Sequence, residues 1–192
     1  MSRLNYNQLA AEVHANSVKH GWWENQPSIE HFLTLVVCEL AEAVEADRKG
    51  IKADIALFER RIQEKPSEHE AATYEQRYAY WFEAYIKDSV GDELADAAIR
   101  LLDIAGAYNW SFNKPIVGGY SCIVSVQNSF TENIGGIMAS VCNRALASYD
   151  RVIYSFLLIG LYAKLIGIDL EWHIKHKMQY NANRPYKHGK AY

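Results

Sequence analysis

Two five-residue segments of this chain follow one template, Glu39-Leu-Ala-Glu42-Ala and Glu93-Leu-Ala-Asp96-Ala. On a helix, residues three apart share a face with Cβ atoms about 5 to 6 Å apart, so each segment sets two carboxylates side by side. Two such helices packed antiparallel bring four oxygen ligands into one space. The alanines at 41, 43, 95 and 97 keep the surrounding surface thin enough for close approach. Clustered carboxylates repel one another unless a cation sits among them. Hard oxygen donors without thiolate or imidazole select Mg²⁺, or Mn²⁺, over zinc. A single E-x-x-E on a helix is ordinarily a solvated face. Glu45 with Lys49 and Arg100 with Asp103 read as surface pairs of that kind. The recurrence of the template is what points to chemistry. A ferritin-type di-metal bundle needs Glu-x-x-His motifs, and none of the seven histidines has Glu three positions before it. A His-Glu-x-x-His zinc site is also absent.

Cations concentrate at the other end of the chain, in the run from Lys175 to Lys190. One reading is a solubilising tail, with cations favourably placed at a helix C-terminus. The other is a polyphosphate clamp. Lys177, Asn181 and Arg184, spaced four and three apart, fall on one helix face, where arginine suits bidentate phosphate contacts and lysine adds a point charge.

Helices must position these groups. Leu33, Val36, Val37, Leu40 and Val44 recur at three- and four-residue steps and predict a helix over 28–49, with Pro27 in its first turn and Gly50 as its stop. Val90, Leu94, Ala97, Ala98, Leu101, Leu102 and Ala105 predict a second over 88–108. Residues 52–87 read as a helical hairpin turning at Pro66, and 110–127 as an irregular loop. Ser129 and Glu132 form a capping box that opens a helix toward Ala147, followed by helices over 149–165 and 170–181. The expectation is one all-α domain over 1–192, with 182–192 as a basic tail.

Composition agrees with an ordinary globular chain. Of 192 residues 49% are apolar and 22% charged, which excludes disordered and collagen-like classes. A net charge of -3 gives no overall pull toward nucleic acid or an anionic membrane. Three cysteines, Cys38, Cys122 and Cys142, lack paired metal spacing and fit a reducing, cytoplasmic compartment. Val152–Ala163 is too short to span a bilayer, which needs about 20 residues, and reads as a buried core helix.

Taken together, these features resemble the MazG-like members of the all-alpha nucleoside triphosphate pyrophosphohydrolases, relatives of dimeric dUTPases and dCTP pyrophosphatases. The likeness lies in Glu39-x-x-Glu42 and in Glu93-x-x-Asp96 continuing into Ile99-Arg-Leu-Leu-Asp103. It extends to the Gly21-Trp22-Trp23 approach and the Lys177…Asn181-x-x-Arg184…Lys187-His-Gly-Lys190 tail. The resemblance implies an all-helical bundle, Mg²⁺ dependence, and cleavage of a nucleoside triphosphate to the monophosphate and pyrophosphate. It also implies a homodimer or homotetramer and no nucleic-acid or membrane partner. It makes Glu39, Glu42, Glu93 and Asp96 the metal ligands and catalytic carboxylates. It puts Arg100, Lys177, Arg184 and Lys190 on the phosphates, and Trp22, Trp23, Asn181 and His14 at the nucleoside. Two departures stand out. Residues 43 to 92 separate the carboxylate motifs by more than this family commonly shows, so the 52–87 hairpin reads as an insertion. Cys38 stands where the family often has a further acid. Two rival functions remain: a nucleotide-binding sensor without turnover, and a helical interaction protein.

Overall fold

The computed structural model describes residues 5–65, 73–116 and 124–189. Among these residues every regular element is helical, and the helices pack as a bundle. In chain order they are α1 (Tyr6–Lys19), α2 (Ile29–Lys49), α3 (Ile55–Gln63), α4 (Tyr74–Tyr85), α5 (Val90–Ala107), α6 (Phe130–Cys142), α7 (Ser148–Leu165) and α8 (Leu170–Ala182), with a 3-10 turn at Tyr186–Gly189. The expected turn at Pro66 and the phosphate candidate Lys190 lie outside the described residues.

Local chemistry explains the boundaries. Ser28 caps α2 by accepting from the His31 amide, so Pro27 lies before the cap and not in the first turn. Gly50 closes that helix in the left-handed conformation at φ 69°. Ser89 caps α5, and the Ser129–Glu132 capping box opens α6 as anticipated. Helix α6 stops at Cys142, short of Ala147. The Asn143 side chain accepts from the Ala145 amide and diverts the backbone into a local turn.

Helix α5 is central. It packs against α1, α2, α7 and α8, while α6 bridges α2 and α7. Its Leu94, Ala97, Ala98, Leu101, Leu102 and Ala105 are fully buried in the main core. The α3–α4 hairpin builds a second, smaller core of Phe58, Tyr78, Phe82 and Ile86, completed by Tyr180 of α8. Helix α7 is buried on one side only, because Leu157 and Leu161 of its central stretch are 45% and 49% exposed. Among the described residues no single helix is long and apolar enough to cross a membrane.

The crossing of α1 and α5 requires Gly106, where a Cβ would overlap the Ala10 carbonyl oxygen. Gly106→Ala is expected to cost about 1–3 kcal/mol in urea unfolding, as overpacking against backbone does. Gly160→Ala, at a helical position with open space around it, should instead be neutral or stabilise by less than about 1 kcal/mol.

Candidate functional site

Glu39 and Glu42 come from α2 and Glu93 from α5, the pair of helices with the most extensive contact. Ala43, Ala95 and Ala97 are fully buried along this bundle, consistent with close approach, whereas Ala41 is exposed. The three glutamates each offer an oxygen within 4.8 Å of the other two. Glu93 is only 4% exposed, and its Oε2 has no hydrogen-bond partner among the described residues. An oxygen-only donor set with an orphaned, buried carboxylate oxygen fits a hard divalent cation. Burial, with the nearby charges of Asp96 and Asp92 adding to it, pushes the Glu93 carboxyl up to about 9. Burial also raises Glu39, although Arg100 pulls it back. Arg100 donates to Glu39 Oε1 from Nε at 2.7 Å and approaches it with Nη2 at 2.6 Å. It therefore braces a carboxylate of the cluster.

Asp96 stands apart from this trio. Its Oδ2 lies 2.7 Å from Lys177 Nζ, which also reaches Asp92 Oδ2 at 2.7 Å. Lys177 is a buried counter-ion, not a free cation on a helix surface. Burial opposes its charge, but the Asp96 and Asp92 carboxylates outweigh that and raise its pKa. Asp92 was not singled out by spacing. It is fully buried, its Oδ1 has no hydrogen-bond partner among the described residues, and with Asp88 and Glu93 it forms a second group of carboxylates within 4.8 Å. The signal was available in the sequence, since Asp92 and Asp96 are four apart and share a helix face.

Arg100 and Asp103 do not pair as a surface couple. Arg100 turns to α2, and Asp103 is buried as an acceptor for α1 and the segment after it. It receives His14 Nδ1 at 2.8 Å, Ser17 Oγ at 2.6 Å and Trp23 Nε1 at 3.0 Å. Trp23 stacks on Phe32 with centroids 4.3 Å apart, and His14 meets it edge-on. Both residues are thus held in this polar and aromatic knot. Glu45 does lie at the surface, paired with Arg48 and Lys49.

These groups surround a cleft of about 860 Å³ walled by α1, α2, α5 and α8. Trp22 lines it, whereas Trp23 and His14 do not. The four template carboxylates and Arg100 line it from α2 and α5. Lys177, Asn181 and Arg184 line it from α8 and its end, as their spacing predicts. Lys187 lines the cleft too. The segment after α8 folds back over the α1–α2 connection. The Lys187 amide donates to the His20 carbonyl at 3.0 Å, Lys187 Nζ lies 3.8 Å from Glu24, and the Tyr186 hydroxyl bonds Glu24. Gly21 permits this docking. Its φ is 81°, and a Cβ would overlap the Tyr186 ring.

Compared with known family models, curated proteins and solved structures, the chain has no match. The fold and cleft define an all-α helical bundle with a buried acidic cluster able to hold a metal ion.

The raised Glu93 pKa has a testable consequence. Below its folded value of about 9 the metal-free protein holds a proton that the unfolded chain, at its ordinary 4.5, releases. Stability is therefore expected to fall as pH rises from about 5 through 9, because the folded state binds more protons across that window. A divalent cation needs the deprotonated carboxylate, so saturating Mg²⁺ should flatten or reverse the decline. Thermal melts from pH 5 to 9, with EDTA and with Mg²⁺, check this. A metal-free stability that climbs toward pH 9 would contradict it.

Proposed function

We propose that this cleft hydrolyses a nucleoside triphosphate, a deoxynucleotide or a non-standard one, to the monophosphate and pyrophosphate with Mg²⁺. The observation that carries the reading is the juxtaposition of three carboxylates within 4.8 Å of one another with five cleft-lining cations, Lys87, Arg100, Lys177, Arg184 and Lys187. A polyphosphate in so acidic a site needs positive charge on both sides. Glu39, Glu42 and Glu93 would hold the cation, with Mn²⁺ as an alternative to Mg²⁺. When bound, it supplies charge neutralisation for the phosphates and Lewis acidity that makes water a stronger acid.

The chain's own residues divide the remaining work. Arg100 fixes the Glu39 carboxylate in place. Arg184 and Lys187 hold the β- and γ-phosphates, and Asn181 orients the nucleotide from the same wall. Trp22 offers its ring to the nucleobase, while Trp23 and His14 hold the Trp22 segment through Asp103. A carboxylate oxygen of the cluster takes the proton of the attacking water. The new bond forms between the water oxygen and the α-phosphorus, the α–β bridging bond breaks, and pyrophosphate leaves. Positioning of charge carries most of the catalysis in such a reaction.

One observation favours a nucleotide sensor without turnover: Asp96 is engaged by Lys177 and not offered to the glutamate trio. Pyrophosphate release from a panel of nucleoside triphosphates with Mg²⁺ separates the readings, since a sensor gives saturable binding without product. We read the chain further as a homodimer or homotetramer, because Leu157, Leu161, Leu165 and Ile166 leave an apolar row exposed on and just after α7. A monomer in sedimentation at micromolar concentration with full activity would exclude this.

Glu93→Gln should abolish turnover, a drop of at least about 100-fold, with an unchanged helical circular dichroism spectrum. Arg184→Ala should be the most damaging of the phosphate-side changes, because a charge-assisted contact is lost. Lys187→Ala should also raise KM. Both effects should shrink relative to wild type at high salt, where the partly exposed contacts are already screened over about 8 Å or less. Wild-type kinetics in Arg184→Ala would remove the C-terminal residues from phosphate binding.

A further inference from the structure

We propose that Lys177 is a built-in counter-ion that gives Asp96 up to an arriving divalent cation, so that metal loading and release of Lys177 into the cleft are one event. The inference rests on the metal-site reading above. Its starting point is the asymmetry of the two aspartates that grip the ammonium. Asp92 is fully buried, takes no part in the cleft wall, and has its Oδ2 held further by the Asp88 amide at 3.1 Å. Asp96 lines the cleft, and its side chain is 22% exposed. Nζ lies 2.7 Å from each. Lys177 therefore has a fixed inner partner and an accessible outer one.

The outer partner is also wanted by the metal cluster. Asp96 is one helical turn from Glu93 and bears on it electrostatically, yet its oxygens are not among the trio that converge. A cation held by Glu39, Glu42 and Glu93 attracts the same Asp96 carboxylate that the ammonium occupies, and it repels the ammonium. A doubly charged ion outcompetes a singly charged one for a shared carboxylate at comparable distance. The lysine stem is long and flexible, so its head group can leave Asp96 and turn along the cleft wall while its backbone stays in α8. There it joins Asn181 and Arg184, which follow it on the same wall. Lys177 becomes a positioning residue for phosphate only after the metal is in place. The cleft is then fully cationic on the α8 side only when the acidic side is neutralised.

Mn²⁺ binding to the nucleotide-free full chain, followed by the electron paramagnetic resonance signal of free Mn²⁺, tests this without any turnover. Lys177→Met removes the competing charge and keeps the side-chain length, so it should bind Mn²⁺ at least about fivefold more tightly than wild type, the low end of ordinary coupling between sites. Should the carboxylate left behind at Asp92 prevent folding, the double variant Asp92→Asn/Lys177→Met removes it and should shift affinity in the same direction. Amine labelling of the wild type read by peptide mass spectrometry gives a second measure. Lys177 should be protected without cation and react several-fold faster at saturating Mg²⁺. Unchanged or weaker Mn²⁺ affinity in the folded variants, or a Lys177 that stays protected with Mg²⁺, overturns the exchange alone. A wild type that takes up no Mn²⁺ overturns the metal site as well.

Discussion

Like charge gathered at the seam between α2 and α5 is the constraint around which this bundle is arranged. Glu39, Asp92, Glu93 and Asp103 are buried, and Glu42 and Asp96 face the same cleft. A buried carboxylate without compensation costs several kcal/mol or changes its protonation. The chain meets this in different ways at each position. Arg100 compensates Glu39, Lys177 compensates Asp92 and Asp96, and three donors converge on Asp103. Asp92 and Glu93 also occupy the first turn of α5, where the helix dipole favours negative charge. After all of these, one oxygen of Glu93 and one of Asp92 remain without a hydrogen-bond partner among the described residues. The residual imbalance falls at the cluster with oxygen-only geometry, which is where a divalent ion would complete the balance.

Helix α8 carries two unlike faces because of this arrangement. Lys177 reaches across to α5, while Tyr180 and His176 meet the α3–α4 hairpin. The hairpin grips the outer face with polar contacts as well as aromatic ones. Tyr180 donates to Glu83 at 2.7 Å, Trp172 donates to Glu59 at 2.9 Å, and the Tyr78 hydroxyl bonds His176. Burying a lysine against two aspartates needs a rigid helix, since a mobile one would let water solvate the ammonium. The separate core of Phe58, Tyr78 and Phe82 supplies that rigidity from behind. The α3–α4 hairpin thus acts on the cleft through α8, although no residue of either of its helices lines it.

Much of this was legible from periodicity and spacing. The template Glu-Leu-Ala-Glu/Asp-Ala placed carboxylates of α2 and α5 in one cleft because helical geometry converts a three-residue interval directly into a shared face. The Lys177, Asn181 and Arg184 spacing likewise gave one wall. Partner choice was not legible, because it depends on which helices cross and at what height. Arg100 is three residues from Asp103 and yet pairs with Glu39, more than sixty positions away. Lys177 looked like part of a basic tail, and only the α5–α8 contact shows that it is buried between aspartates. Trp22 and Trp23 are adjacent in sequence and indistinguishable in type. Their division into a cleft residue and a pinned one follows from Asp103 and Phe32, which no local pattern reveals.

That division has a structural logic. The segment Gly21–Trp23 is tied on both sides of Trp22. Trp23 is fixed inward by its bond to Asp103 and its stack on Phe32. Gly21 and His20 are fixed outward by the returning C-terminal segment, through the Tyr186 ring and the Lys187 amide. Lys187 adopts a left-handed backbone at φ 46° to make this contact, a conformation a lysine holds only when its surroundings over-determine it. The same residue presents its side chain to the cleft and to Glu24. An aromatic ring and a cation that both line the cleft are therefore set by one continuous run of contacts, from Asp103 through Trp23 and Gly21 to Tyr186 and Lys187. A ligand that touched both Trp22 and Lys187 would therefore bear on that run at two points, and a shift at one would be felt at the other.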